Sequence, residues 1–377
     1  MLKVGVPLSS KYIGTISKLR YFMTAADKIS IGNFKGKPNP ETGNYTVPFI
    51  EGDGVGPEIS KSVRTIFKAA KVPIDWVNCD IGPLLINGET TIPQTAVDQI
   101  NNSLIALKGP LATPVGQGHR SINLTLRKTF GLFANVRPAK SIPNLASTYE
   151  NVDLIVIREN TEGEYSGIEH EIVPGVVQSI KLITRKASEK VIKYAFEYTR
   201  SIGRSNLIVV HKATIQRRGD GLFVQTAQEM ADKYPDVNLK LELIDNTVLN
   251  CIMNPEKYAD SVSVCPNLYG DILSDLNSGL STGSLGLTPS ANIGETVLYE
   301  AVHGSAPDIA GQDKANPTAL LLSSVMMLNH MGLQKYADMI ETAVLTTITS
   351  GKEFRTADLG GSATTTSFTK AVIENLN

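Results

Sequence analysis

A chain of 377 residues is too long for one small core and suits two sub-domains or one large α/β unit. Hydrophobic content of 42% is ample for a core, and a net charge of −1 removes any case from composition for binding nucleic acid or an acidic membrane. The three cysteines, Cys79, Cys251 and Cys265, form no CxxC pair and the five histidines no HExxH spacing, which argues against a disulfide scaffold or zinc site and fits a reducing compartment.

Residues 1–26 carry Lys3, Lys11, Lys18 and Arg20 and no acid before Asp27, with Ser9, Ser10, Thr15, Ser17 and Thr24 interleaved among apolar residues. A basic, hydroxyl-rich, acid-free start is the pattern of a mitochondrial transit peptide, so this segment is set apart from the fold. Residues 27–44, with Gly32, Gly36, Pro38, Pro40 and Gly43, read as a loose lead-in. Tyr45–Ile50 is a strand that runs into Gly52-Asp53-Gly54-Val55-Gly56-Pro57-Glu58 and then an amphipathic helix to about Ala70. This is an α/β opening but not the G-x-G-x-x-G dinucleotide fingerprint, because the third glycine comes one residue early with Pro57 in its place.

The stretch from His119 and Arg120 through Ser121, Asn123 and Arg127, followed by Arg137, is the densest chemistry in the chain. Guanidiniums hold carboxylates through paired planar hydrogen bonds, so a small molecule with several carboxylates is the expected occupant. Ser121, Asn123 and Arg127 would share one side of a loop running into a helix.

Further on, apolar runs at 152–157, 207–210, 241–244 and 261–264 each end in polar residues: Arg158 and Glu159, His211 and Lys212, Asp245 and Asn246, Cys265 through Asp271. Buried strands with polar carboxyl ends are how open α/β sheets present a site. A helix from about Ala187 to Arg200 aligns Val191, Ala195, Phe196 and Thr199. If Gly270 opens a helix, Asp271 and Asp275 project together at i and i+4, with Ile272, Leu273 and Leu276 on the packing side. Oxygen ligands of this kind suit Mg²⁺ or Mn²⁺ rather than zinc, and Asp245 is a third candidate. Small residues around His303 and Gly304 would let backbone amides approach a phosphate or a ring, and Asp308 could accept from a ribose diol while repelling a 2′-phosphate. The longest apolar stretch, Ala319 to Leu333, is interrupted by Ser323, Ser324, Asn329 and His330 and reads as a buried helix, since a membrane span needs roughly 18 apolar residues.

Taken in order, GDGVGPE at 52–58, KGPLATP at 108–114, SINLTLR at 121–127, IRENTEGEYSGIEH at 157–170, VHKATI at 210–215, PNLYGDILSD at 266–275 and HGSAPDIAGQDKANP at 303–317 resemble the β-decarboxylating dehydrogenases. Within that family the chain is most similar to the NAD-dependent mitochondrial isocitrate dehydrogenase subunits, over nearly all of 45–377. The resemblance implies a two-domain α/β isocitrate/isopropylmalate dehydrogenase-like fold that is not a standard Rossmann fold. A large domain would use 45–134 and 283–377, and a small domain 135–282 would carry a dimer arm near 166–190.

The resemblance also implies roles. Arg127, Arg137 and Arg158 would grip substrate carboxylates, with Ser121 and Asn123 on the one that distinguishes isocitrate. Asp271 and Asp275 would hold the divalent metal, with Asp245 and the base Lys212 arriving from a neighbouring subunit. Such a lysine must sit in cationic surroundings that favour its neutral form. Tyr165 would protonate C3. His303, Gly304, Asp308 and Asn316 would hold the adenosine part of NAD, since NADP-using relatives carry Lys and Tyr where this chain has Asp308 and Ile309. The implied reaction is the oxidative decarboxylation of isocitrate to 2-oxoglutarate in the mitochondrial matrix, within the tricarboxylic acid cycle, beside a paralogous regulatory subunit in a hetero-oligomer. The alternatives are action on homoisocitrate or 3-isopropylmalate, against the latter of which Ser121 and Asn123 argue, or a non-catalytic regulatory subunit. Retention of Tyr165, Lys212, Asp245, Asp271 and Asp275 together favours the catalytic role.

Overall fold

The computed structural model describes residues 34–82, 84–86, 89–112, 121–143, 145 and 149–376. The segment 1–26, the first part of the lead-in, residues 113 and 114 of the KGPLATP motif, and His119 and Arg120 lie outside the described residues.

The chain opens with β1 (Tyr45–Ile50), α1 (Gly56–Ala69), β2 (Ile74–Asn78), β3 (Leu84–Ile86), β4 (Glu89–Thr91), α2 (Gln94–Ser103) and β5 (Ile105–Lys108). It continues through α3 (Ile122–Thr129), β6 (Ala134–Lys140), β7 (Asp153–Glu159), β8 (Gly163–Val173), β9 (Val176–Leu182) and α4 (Arg185–Ser201). Next come β10 (Asn206–His211), α5 (Gly219–Ala231), β11 (Asn238–Leu243), α6 (Ile244–Met253), β12 (Ser261–Cys265) and α7 (Asn267–Thr282). Last are β13 (Pro289–Ile293), β14 (Val297–Ala301), α8 (Thr318–His330), α9 (Gln334–Ser350) and α10 (Thr365–Glu374).

A ten-stranded sheet in the order β11-β10-β12-β7-β6-β13-β14-β5-β1-β2 organises these elements. The strands β11, β10, β12 and β7 are mutually parallel, as are β14, β5, β1 and β2. Between them β6 and β13 pair antiparallel with each other and with their outer neighbours β7 and β14. The two parallel runs are thus joined through an antiparallel centre, unlike the uniformly parallel dinucleotide-binding sheet.

The two faces of this sheet are built differently. One face carries a continuous core that runs from Val47 and Phe49 through Ala291 and Val136 to Val209 and Val264, covered by α1, α4 and α8 to α10. The other face carries two separate cores. One joins Ile50, Ala106 and Leu298 to α2 and α3, and the second joins Val156, Ile208 and Val210 to Leu273 and Leu280 of α7. Side chains alternate faces along a strand. On β6 and β13, which separate these cores, four positions facing this side are polar, Asn135, Arg137, Ser290 and Asn292, all buried.

Local chemistry explains the elements. In α1, Ile59, Val63, Ile66 and Phe67 recur at helical spacing and are buried, with proline in the first turn where its missing N–H costs nothing. The expected α4 stripe of Val191, Ala195, Phe196 and Thr199 is buried. Helix α8 is buried all round. Two of its polar residues bond inside: Ser323 Oγ donates to the Glu300 carbonyl at 2.7 Å and His330 Nδ1 pairs with the Tyr299 hydroxyl at 3.0 Å. Among the described residues no helix is long and apolar enough to cross a membrane.

Two details differ from expectation. Ile244 is not the end of β11 but the first residue of α6, so Asp245 lies in a helical first turn. Helix α7 starts at Asn267 after Pro266 rather than at Gly270. Gly270 sits one turn in, where a Cβ would stand 2.7 Å from Arg158 Cβ, so the glycine lets the helix press against β7.

Candidate active site

The cleft between the two second-face cores is lined by β6, β7 and the first turns of α7, with α3 nearby. Arg158, near the end of β7, is 1% exposed. Its Nε donates to Asn267 Oδ1 at 2.8 Å, Nη1 pairs with Asp271, and the guanidinium lies 4.9 Å over the Tyr165 ring. Its Nη2 is buried and has no hydrogen-bond partner among the described residues. Arg137, from mid-β6, donates from Nε to Asn135 Oδ1 at 2.7 Å and from Nη1 to Ser274 Oγ at 2.6 Å and Asp275 Oδ1 at 3.1 Å. The same Nη1 stands 3.4 Å from Asp271.

Arg127 joins this group from the last turn of α3. Burial pushes its guanidinium down, while Glu300 and Asp271 oppose that and Arg137 adds to it. Burial, then the cations Arg127 and Arg137, lower Arg158 to about 10. The three arginines therefore converge as expected. Ser121 caps α3, its Oγ accepting from the Leu124 amide at 3.4 Å. Asn123 follows on the face of Arg127, its Nδ2 donating to the Leu111 carbonyl at 3.3 Å and its Oδ1 buried with no partner among the described residues. Ser121 is thus exposed at the helix start, and Asn123 keeps one acceptor unfilled.

The two carboxylates of α7 behave differently. Burial pushes Asp271 up, but Arg158 and Arg137 outweigh it and hold this carboxyl below the ordinary carboxylate range. Burial raises Asp275, helped by the neighbouring Asp271 charge and opposed by Arg137. Tyr165 donates its hydroxyl to Asp271 Oδ2. Burial and this hydrogen bond raise the phenol, which keeps it protonated. Leu273 packs inward as expected, but Ile272 is 55% exposed, because its helical phase turns it away from the sheet.

Lys212 and Asp245 form a separate pair at 2.7 Å. Within one chain the charged partner of Lys212 is this aspartate. The buried Asp220 anchors the loop by accepting from the Lys212 amide at 2.7 Å and from Lys181 Nζ at 2.8 Å. Among the described residues no three His, Cys, Asp or Glu side chains are grouped to hold a metal ion, so one chain does not bring Asp245 to Asp271 and Asp275. The donor chemistry of the Asp271 and Asp275 pair, oxygen only and shared around one cationic position, fits Mg²⁺ or Mn²⁺.

On the other side of the cleft, β14 leads into His303. Its Nδ1 pairs with the Gly304 carbonyl at 2.9 Å, and its Nε2 is buried without a partner among the described residues. Burial lowers the imidazole, favouring its neutral form. Gly304 and Asp308 are exposed, and a Cβ on Gly304 would meet nothing within the chain. Asn316 is committed at both ends, donating to Asp358 Oδ2 at 2.9 Å and accepting from the Thr318 amide at 3.0 Å. The glycine turn after β1 supports this loop. Gly54 has φ +59° and would place a Cβ 1.9 Å from the Ser305 carbonyl, which also accepts from the Val55 amide at 2.9 Å. Its glycines allow contact with the chain's own backbone.

Several residues at the cleft were given no role from the sequence. Lys108 pairs with Glu300 at 2.8 Å, and Lys108, Asn123, Arg127 and Glu300 line one narrow gap. Asn135, Asn292, Ser274 and Asn267 support the arginines, and Asp358 supports Asn316. The signal available in the sequence was polar residues at every second position of otherwise apolar strands, Asn135-x-Arg137 and Ser290-x-Asn292.

The isocitrate/isopropylmalate dehydrogenase family model matches residues 46–375. Subunit 2 of the mitochondrial NAD isocitrate dehydrogenase of Saccharomyces cerevisiae is 71% identical over 358 residues, covering 95% of this chain and 97% of that protein. The mitochondrial NAD isocitrate dehydrogenase catalytic subunit 5 of Arabidopsis thaliana is 52% identical, with 88% of each chain covered. Among solved structures, isocitrate dehydrogenase from Methylococcus capsulatus superposes with a TM-score of 0.81 at 41% identity, covering 88% of this chain and 99% of that one. Family-wide motifs, a mixed central sheet and likeness across almost the whole length agree: this chain belongs to the isocitrate/isopropylmalate dehydrogenase family.

Proposed function

We propose that this chain is the catalytic-type subunit of a mitochondrial NAD-dependent isocitrate dehydrogenase, oxidising and decarboxylating isocitrate to 2-oxoglutarate in the tricarboxylic acid cycle. The observation that carries the reading is the convergence of Arg127, Arg137 and Arg158 on a cleft that also holds the Tyr165–Asp271 pair. Three guanidiniums held together against burial and mutual repulsion suit a ligand with several carboxylates.

The residues then divide the work. Arg127, Arg137 and Arg158 hold the substrate carboxylates, with Ser121 and the unfilled Asn123 acceptor at the group that separates isocitrate from 3-isopropylmalate. Asp271 and Asp275 would hold Mg²⁺ or Mn²⁺, which supplies Lewis-acid stabilisation of the charge that develops on the substrate oxygens. Lys212 removes the proton of the C2 hydroxyl. Tyr165, a phenol kept protonated, delivers a proton to C3 once carbon dioxide has left. His303, Gly304, Asp308 and Asn316 hold the adenosine part of NAD, the hydride acceptor, and the Asp308 charge disfavours a 2′-phosphate.

A neighbouring subunit completes the site. Lys212 and Asp245 pair with each other in one chain, and Ile215, Leu249, Met253 and Ile272 stand exposed on the loop and helices around them. Such an apolar group on a water-soluble surface calls for cover. The β8–β9 hairpin likewise exposes Ile172, Val173, Val177 and Ile180, as a dimer arm would. The partner is a paralogous subunit in a hetero-oligomer, and residues 45–134 with 283–377 form one lobe against 135–282.

The test is to express the mature chain alone and with its partner subunit and follow NAD reduction with Mg²⁺ and each of isocitrate, homoisocitrate and 3-isopropylmalate. The reading requires the highest kcat/KM for isocitrate. A preference for another acid, or no turnover in the assembled enzyme, overturns it.

A further inference from the structure

A chain of buried hydrogen bonds crosses the central strands behind the cleft. Arg137 Nε donates to Asn135 Oδ1 at 2.7 Å, Asn135 Nδ2 to Asn292 Oδ1 at 3.0 Å, and Asn292 Nδ2 to Glu300 Oε1 at 2.8 Å. Lys108 closes it, its Nζ 2.8 Å from Glu300 Oε2. Asn135 and Asn292 are 0% and 1% exposed, so water does not substitute for either amide. The direction of the chain is fixed at both ends. A guanidinium only donates and a carboxylate only accepts, so each amide must turn its oxygen toward Arg137 and its nitrogen toward Glu300. A second donor, Asn160 Nδ2 at 2.9 Å, holds the Asn292 oxygen in the same orientation.

We infer that Asn135 and Asn292 are positioning residues for the substrate guanidinium of Arg137, an oriented amide relay that ties it to the buried Glu300–Lys108 pair across β13 and β14. The inference rests on the function proposed above and adds to it a reason why Arg137 holds one rotamer. A guanidinium clamped at Nε and at Nη1 has its plane set before the substrate arrives. Only a preset plane matches a carboxylate with two parallel hydrogen bonds. The amides touch no substrate atom and act through Arg137 alone. Strands β6 and β13 lie between the two second-face cores, so the relay also reports the register of one lobe on the other to the substrate clamp.

The test is a double-mutant cycle in the assembled enzyme. Asn135→Ala should raise the KM for isocitrate by about 10–100-fold, the usual cost of losing a supporting hydrogen bond, with kcat and the KM for NAD changed by less than about threefold. In an Arg137→Lys background no Nε–H exists to donate, so Asn135→Ala should add less than about twofold. A second variant covers the case in which Asn135→Ala does not fold. Asn292→Asp places two carboxyls 2.8 Å apart against Glu300, so one must bind a proton. Its KM for isocitrate should stay near that of the wild type at about pH 6 and climb roughly tenfold or more by about pH 9, relative to the wild type at each pH. Equal KM increments in both Arg137 backgrounds, or a pH-independent Asn292→Asp effect, overturn the relay. A wild-type enzyme that fails to reduce NAD with isocitrate instead overturns the functional reading, before any variant is compared.

Discussion

Replacing Lys108 by methionine tests the electrostatics behind the cleft. Its ammonium lies 2.8 Å from Glu300, and the two side chains are 4% and 12% exposed. Burial pushes the Glu300 carboxyl up, yet the Lys108 and Arg127 cations, with hydrogen bonds from Lys108 and Asn292, hold it at about 2 against an ordinary 4.5. That difference corresponds to about 3 kcal/mol of native stability. Because the carboxyl is depressed in the fold, this contribution is fully present above about pH 4.5 and is lost as the pH falls toward 2. Lys108→Met leaves the carboxylate buried with Asn292 and a more distant guanidinium. Removing one member of a buried pair costs about 3–5 kcal/mol.

For a chain of this size that loss lowers Tm by about 4–7 °C, measured by calorimetry at fixed protein concentration. Acid distinguishes the mechanism from simple cavity formation. Without its ammonium, Glu300 binds a proton at higher pH, so the gap to the wild type should narrow between about pH 8 and pH 5.5. Lys108→Met combined with Glu300→Gln should recover at least half of the lost stability, because the buried carboxylate left without its ammonium is gone. A Tm within about 1 °C of the wild type, or a gap that acid does not narrow, would refute the assignment of Glu300 as a buried anion held by Lys108.

Two further predictions follow from the proposed roles. Tyr165→Phe and Lys212→Met should each reduce kcat by about 10²–10⁴ with the circular dichroism spectrum unchanged, and near-normal turnover in either variant removes that residue from the mechanism. Asp308→Lys with Ile309→Tyr should raise kcat/KM for NADP and lower it for NAD, because a cation then faces the 2′-phosphate; an unchanged NADP/NAD ratio in steady-state assays would remove Asp308 from cofactor selection.

What was legible in the sequence depended on period and charge. Strand β1 and the buried stripe of α4 followed from apolar spacing alone, because each presents one clear face to the continuous core. Arg158, Asp271 and Asp275 stood out as charged residues in the motifs around the strand ends, and Arg137 as a further guanidinium after the stretch ending at Arg127. Asn135 and Asn292 did not, since an amide in an apolar strand carries no charge and its importance arises from a partner 157 positions away. The start of α7 was missed because Pro266 precedes Asn267, and a glycine was expected at the helix start when it was needed for the approach to Arg158.

The charge balance at the cleft gives these separate observations one cause. Lys108, Arg127, Arg137 and Arg158 face Glu300, Asp271 and Asp275, and Asp275 is the one of these carboxyls that burial and the Asp271 charge raise against the pull of Arg137. Guanidiniums this close disfavour one another, as the lowering of Arg158 to about 10 by burial and by Arg127 and Arg137 records. A fold selected for stability alone would place aliphatic residues there, since well-packed apolar groups match or exceed buried ion pairs. Cations have instead been kept in excess and fixed in direction by Asn135, Ser274 and Asn267, with the Arg158 Nη2 donor left unused. In the proposed site a tricarboxylate would partner that donor and the surplus charge, so the penalty carried by the folded chain would be the same interaction that the incoming substrate relieves. Affinity for the substrate and strain at the site are therefore two measures of one arrangement, and a substitution that stabilises the cleft by removing a guanidinium must weaken binding.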